Sequence, residues 1–371
     1  MSHKSFSSGR FSPRLLRLYP VYFLLLLLFT AVLPALSAAK IPCVWTGVEK
    51  IVAVGDLHGA YENFVEILKG TKVVDENLHW IAGKTHLVQM GDIMDRGPDA
   101  RKIFDLLIGL EKEAENAGGK VHVLLGNHEM INIAGIAFDY AGYVIPEQLV
   151  SFLPEDYRKQ REKDFAEHIA GIKPQDLDTN LDTNPDLRKY WQALIKVDPM
   201  VREKYKKFFN AVYKKWLLKH NAVIKINGVV FVHGGISSGY STWKLEDLNG
   251  EVRSELDFLS GPVSTEHGGA VYQPRIAFDR DGPFWYRDLA YSDEPEFKGE
   301  VDKILANLKA DAMVIAHTRL SGSPVSMEFM TRFNGRIWTI DTGISTAYDN
   351  ALSALIIENG KFTVWRGNDE K

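Results

Sequence analysis

Three short polar segments, each ending an apolar run, constrain this chain more than any other feature. Ile51-Val52-Ala53-Val54 leads into Gly-Asp-Leu-His-Gly at 55–59, and Leu87-Val88-Gln89-Met90 into Gly-Asp-Ile-Met-Asp-Arg-Gly at 91–97. Val121-His122-Val123-Leu124-Leu125 leads into Gly-Asn-His-Glu at 126–129. Short apolar runs bounded by glycine read as buried β-strands. Asp56 and Asp92 lie 36 residues apart, Asp92 and Asn127 35, about the length of one βαβ unit. Consecutive βα units place all three segments at one edge of a parallel sheet, beyond the carboxyl ends of its strands, where open α/β sheets bind ligands. The groups delivered there are Asp, His and Asn. The chain reads as an α/β metalloenzyme.

The βα units fill roughly 48–135, with covering helices at Tyr61–Lys69 and Ala100–Ala117 that carry apolar stripes (Phe64, Ile67, Leu68; Ile103, Phe104, Leu107, Leu110). Residues 139–222 change character, becoming rich in charge and aromatics, with Pro174, Pro185 and Pro199 interrupting helical runs. Val201, Tyr205, Phe208, Phe209, Val212 and Trp216 keep helical spacing, so this stretch reads as a helical insertion near the active edge. Strand signals return at Ala222–Ile226 and Val229–Val232 around Asn227-Gly228, a two-residue hairpin turn. Met313–Ala316 follows a helical stretch, Val301–Leu308. Then come Ser326–Phe333, Arg336–Ile340, Leu352–Glu358 and Phe362–Trp365, turned by Asn334-Gly335 and Asn359-Gly360. The second half is expected to form a β-rich layer pairing with the first sheet, in one domain over 48–368.

Two histidines extend the pattern, since His233 and His317 also end apolar runs. With Asp56, His58, Asp92 and Asn127 they make six ligands from five loops, all oxygen or imidazole nitrogen. The one cysteine, Cys43, leaves thiolate ligation aside and permits no intrachain disulfide. This donor set suits two divalent ions such as manganese, iron or zinc, with Asp92 of the central segment bridging them. Two such ions acidify a bridging water and clamp an in-line displacement at phosphorus. The leaving oxygen then needs a proton, which His128 can give with Asp95 fixing its tautomer. Arg96 suits bidentate phosphate binding. Arg287, in Gly-Pro-Phe-Trp-Tyr-Arg at 282–287, is the second clamp, and Arg275 lies in the same loop. His79, His86, His122, His168, His220 and His267 read as structural, without partners. A net charge of −4 and the lack of a basic run argue against nucleic acid.

The N-terminus is different in kind. Lys4, Arg10, Arg14 and Arg17 precede an apolar Val21–Leu33, then Pro34 and small residues to Ala39. That is the layout of a signal peptide over 1–39, which predicts a secreted or periplasmic protein. The alternative is an uncleaved anchor facing outside the cytoplasm, because Tyr22–Ala39 approaches the lower length limit of a span. Contact with a membrane is expected only through that segment.

The three segments resemble those of the calcineurin-like metallophosphoesterase superfamily, phosphoprotein-phosphatase branch, and the resemblance runs from Ile51 to Asp341-Thr342-Gly343. It implies a four-layer α/β/β/α sandwich with an inserted helical cap. It also implies metal ligation by Asp56, His58, Asp92, Asn127, His233 and His317, an acid pair in His128 and Asp95, and phosphate binding by Arg96. The chain departs from the eukaryotic serine/threonine phosphatases, which carry Arg before Gly-Asn-His-Glu where this chain has Leu125. The 105 residues from His128 to His233 also exceed theirs. The insertion, Gly-Pro-Phe-Trp-Tyr-Arg and the leader resemble the bacterial-type Shewanella-like protein phosphatases, a group associated with phosphotyrosine. The expectation is a secreted metal-dependent phosphomonoesterase acting on phosphoproteins, with a phosphotyrosine preference. The alternatives are a phosphoesterase for nucleotides, dinucleoside polyphosphates or another small phosphoester, and a pseudoenzyme holding phosphorylated partners through Arg96 and Arg287.

Overall fold

The computed structural model describes residues 41–260, 275–319 and 330–367. The leader or anchor expected over 1–39, His267 and residues 326–329 of the strand expected at Ser326–Phe333 lie outside the described residues. The three βα units fold as their periodicity predicts. Lys50–Val54 (β2), His86–Gln89 (β3) and Lys120–Val123 (β4) run parallel, with Ile51 opposite His86 and His86 opposite Lys120. Their residues are almost all buried, as strands covered on both faces require. Helices Tyr61–Gly70 and Ala100–Asn116 connect them and bury the expected stripes.

The second half does not form one layer. Val44–Trp45 (β1), Val223–Ile226 (β5), Val229–Val232 (β6), Ala312–Ile315 (β7), Thr331–Arg332 (β8) and Ile337–Thr339 (β9) build a second sheet in the order β1-β5-β6-β7-β9-β8. The last hairpin, Ser353–Glu358 (β10) and Lys361–Arg366 (β11), instead extends the first sheet, giving β11-β10-β2-β3-β4. β10 pairs antiparallel with β2, Leu355 opposite Ala53. The physical reason is the open edge of β2, whose backbone groups need partners. Asn359 and Gly360 take the two positive φ values, 50° and 78°, that a primed hairpin turn demands. Two sheets flanked by helices result, the expected four-layer sandwich.

Residues 139–222 are helical, with helices Pro146–Ser151, Glu155–His168, Pro185–Val197 and Pro199–Phe209. Pro185 and Pro199 start helices rather than break them. Each sits at the first helical position behind a cap, since the Asn184 side chain accepts from Leu187 N and Asp198 from Met200 N. The buried stripe is Val201, Tyr205, Phe209, Tyr213 and Leu217, whereas Val212 is 46% exposed. The difference from the expected spacing comes from a π-helical turn at Asn210–Lys214, whose extra residue per turn carries an every-fourth-residue stripe straight along one face.

Several histidines expected to stand alone have partners. His79 meets Glu113 at 3.3 Å and His220 meets Glu111 at 3.1 Å. His122 Nε2 lies 3.0 Å from His86 Nδ1, beside the Trp45 ring. Burial, then Lys120, lowers His86 to about 4, and burial, then His86, holds His122 well below its usual value. A histidine kept neutral in the fold stabilises above its unfolded pKa of about 6.5 and loses that contribution as pH falls toward the folded value. Between pH 7 and pH 4.5 the melting temperature of the protein is therefore expected to fall by roughly 4 °C more than that of His122→Leu. Parallel melting curves against pH would remove the pair from the acid sensitivity of the fold.

Candidate active site

Each expected ligand sits where a strand ends. Asp56 and His58 follow β2, Asp92, Asp95 and Arg96 follow β3, and Asn127 and His128 follow β4. His233 follows β6 and His317 follows β7. All but Arg96 are buried. The structure brings them together as two groups sharing one carboxylate: His58, Asp92 and His128, and Asp92, His233 and His317, each with ligand atoms within 4.8 Å of one another. Asp56 and Asn127 complete the ring, Asp56 Oδ1 at 3.7 Å from His233 Nδ1 and Asn127 Oδ1 at 3.0 Å from His233 Nε2. His58, Asp92, Asp95, Arg96 and His317 all take left-handed φ values between 42° and 69°, a conformation that side chains other than glycine adopt under constraint. Part of the constraint is a glycine: a Cβ on Gly126 would overlap the Asp92 carboxylate and backbone.

Lone pairs converge on this space. His58 Nδ1 donates to Met94 O at 2.8 Å and His233 Nδ1 to Met90 O at 2.9 Å. In the neutral ring each Nε2 is then an acceptor. His233 Nε2 faces two further acceptors, Asn127 Oδ1 at 3.0 Å and Asp92 Oδ1 at 3.3 Å. His317 Nε2 is buried without a hydrogen-bond partner. Burial, then the Asp341 and Asp92 carboxylates, pushes Asp56 well above the usual carboxylate range. Burial acts to raise Asp92 too, but His233, His128 and His58 outweigh it and hold Asp92 well below. Acceptors gathered out of water in this way fit divalent cations, and oxygen with imidazole nitrogen suits manganese, iron or zinc.

Around the donors stand groups that can handle a phosphate. His128 Nδ1 is 2.7 Å from Asp95 Oδ2. Burial acts to lower the imidazole's pKa, but the Asp92 and Asp95 carboxylates overcome it, so the net direction is upward. Arg96 Nη1 donates to His58 Nε2 at 3.0 Å, and its guanidinium lies between the rings of Tyr143 (4.8 Å) and Tyr348 (5.1 Å). Arg287 Nη1 donates to His317 O at 3.2 Å and Thr318 Oγ1 at 3.1 Å, which puts it at the rim. Arg275 is not brought in. The buried Glu255 accepts the backbone N–H groups of Arg275, Ile276 and Ala277, and the Arg275 guanidinium pairs outside with Glu251 at 3.0 Å.

Sequence reasoning missed Asp341, buried and hydrogen-bonded to Asp56. A signal existed, because Asp341 ends the apolar run after Arg336 as Asp56 ends β2. Tyr143, Gln148, Tyr205 and Tyr348 reach the site from the insertion and the C-terminal loop, and no local pattern marked them.

Residues 49–319 match the family described as calcineurin-like phosphoesterase. The chain is 29% identical to Shewanella-like protein phosphatase 1 of Plasmodium berghei, over 81% of this chain and 68% of that protein. It is 33% identical to Shewanella-like protein phosphatase 2 of Arabidopsis thaliana, over 57% of this chain and 53% of that one. An uncharacterized protein of Schizosaccharomyces pombe is 32% identical over 83% of this chain and 76% of its own length. Among solved structures, the cold-active protein-tyrosine phosphatase of a psychrophilic Shewanella superposes with a TM-score of 0.61 at 24% identity, covering 88% of this chain and 80% of that one; this likeness is one of fold. The converging donors and the match over most of the chain agree: it belongs to the calcineurin-like phosphoesterase family, as a divalent-metal-dependent hydrolase of phosphoric monoesters.

Proposed function

We propose that this chain is a phosphoprotein phosphatase with a preference for phosphotyrosine, whose buried donors would hold two divalent ions with Asp92 as a ligand common to both. The observation that carries the reading is the place of the buried Asp92 carboxylate, with Oδ1 at 3.3 Å from His233 Nε2 and Oδ2 at 3.9 Å from His58 Nε2. Asp56, His58, Asp92, Asn127, His233 and His317 would hold the ions. Divalent metal, when bound, supplies Lewis-acid polarisation at phosphorus and a nucleophile drawn from water. Arg96 and Arg287 take phosphoryl oxygens, Arg96 leaving His58 Nε2 as it turns to the anion. His128 gives its Nε2 proton to the departing oxygen while Asp95 holds Nδ1. The names of the Plasmodium and Arabidopsis relatives support a phosphoprotein substrate, and that of the Shewanella enzyme supports the phosphotyrosine preference.

The sequence supports a leader at 1–39 that takes the enzyme out of the cytoplasm. Among the described residues no helix is long and apolar enough to cross a membrane.

Two measurements test the reading. Chelation should remove at least about 99% of activity, and added divalent metal should restore it. On reloaded enzyme, kcat/KM for a phosphotyrosyl peptide should exceed that for its phosphoseryl counterpart by about tenfold or more. A preference for a dinucleoside polyphosphate over both peptides would overturn the protein-phosphatase reading.

A further inference from the structure

The insertion reaches the acid pair through a closed ring of hydrogen bonds. Asp95, Asn132, Gln148 and Tyr205 are all fully buried. Gln148 Nε2 donates to Asp95 Oδ1 at 2.7 Å and to the Tyr205 hydroxyl at 2.9 Å. The hydroxyl donates to Asn132 Oδ1 at 2.9 Å. Asn132 Nδ2 donates to Asp95 Oδ2 at 2.9 Å and to His128 O at 2.9 Å. Every polar atom in the ring is used, which fixes the orientation of both amides and the direction of the hydroxyl proton.

The same cap secures the backbone. Asp95 and Arg96 are consecutive left-handed residues, each with φ 69°. Asp95 N donates to Gln148 Oε1 at 2.6 Å and Arg96 N to Tyr143 O at 2.7 Å. Both acceptors belong to the insertion. Without them the strained pair would lose what over-determines it, and at Asp95 a buried N–H would lose its partner.

We propose that Gln148 and Tyr205 make the inserted cap a working part of the acid site, as positioning residues that hold the Asp95 carboxylate and, through it, aim His128 at the leaving oxygen. The proposal rests on the reading of His128 as the proton donor. With Oδ1 tied to Gln148 and Oδ2 to Asn132, the carboxylate cannot rotate, so the His128 ring keeps one direction. Loss of the ring lets the carboxylate turn, and a misdirected donor matters most where the leaving group most needs a proton.

The test compares two esters on full-length, metal-loaded enzyme: nitrophenyl phosphate, whose leaving group departs readily, and phenyl phosphate, whose leaving group needs the proton. Gln148→Leu, which also leaves the Asp95 N–H without its acceptor, should lower kcat on both esters, and on phenyl phosphate by at least about tenfold more than on nitrophenyl phosphate. The isosteric Tyr205→Phe, which keeps the packing, should lower the phenyl ester by about fivefold and the nitrophenyl ester by distinctly less. Metal content per chain should stay that of the unmodified enzyme in both. Equal losses on the two esters, or none, in both variants overturn the proposal. His128→Ala, measured beside them, separates the causes. If its losses are also equal on the two esters, the acid assignment falls and the proposal with it. If they are steep while those of Gln148→Leu and Tyr205→Phe are flat, the proposal falls alone.

Discussion

Asp92→Asn is expected to lower turnover by at least about 10³-fold and to leave the purified protein without a full complement of metal. The expectation follows from where the carboxylate stands. Oδ1 lies 3.3 Å from His233 Nε2, and Oδ2 lies 3.9 Å from His58 Nε2 and 3.8 Å from His128 Nε2. Oδ1 also accepts the backbone N–H of His128 at 3.0 Å. An amide in its place removes the negative charge common to both donor groups and turns N–H hydrogens toward imidazole lone pairs. Metal analysis is the direct readout. A second readout follows from linkage, because an ion that binds only the folded chain raises its stability. Asp92→Asn should therefore melt near the temperature of the chelated unmodified protein and respond little to added metal. Retention of the unmodified enzyme's full metal content by the variant would take Asp92 out of the proposed ligand set.

The donors were legible because each is a local event, a polar residue placed where an apolar strand stops. The backbone geometry of the βα unit then delivers them to a common edge. What needed the structure is whatever is settled between distant segments. β10 joining β2 is a pairing across some 300 residues of chain, decided by an open edge that no local pattern reveals. Arg275 and Arg287 come from one loop with the same chemistry, and only the Glu251 and Glu255 carboxylates of the helix Leu245–Ser260 assign the first to the surface. Gln148 and Tyr205 look like ordinary residues of amphipathic helices. Their meaning lies in an empty hydrogen-bonding position beside Asp95, which appears only once the helices are packed.

The Glu that ends Gly-Asn-His-Glu raises a different question, since it joins neither donor group among the described residues. Glu129 is fully buried. Its carboxylate accepts the backbone N–H groups of Asp92 and Ile93 at 2.9 Å, Met94 at 3.3 Å and Gly126 at 2.9 Å. One side chain thus ties the turn after β3 to the turn after β4, and it holds Asp92 in its left-handed conformation. Glu129→Ala would strand four N–H groups and open a cavity beneath the donors. At about 1–3 kcal/mol for each buried group left unpaired, with relaxation returning part of it, the loss should be about 4 kcal/mol or more. Glu129→Gln keeps one oxygen for the N–H groups and sets its own NH2 against the others, so it should lose roughly half as much. Denaturant unfolding of metal-free proteins measures this without the contribution of bound ions. If metal-free Glu129→Ala unfolds at the same denaturant concentration as the unmodified chain, the two turns hold themselves. If it unfolds early and also binds metal poorly, the architecture of the donors depends on a carboxylate that meets neither metal nor phosphate.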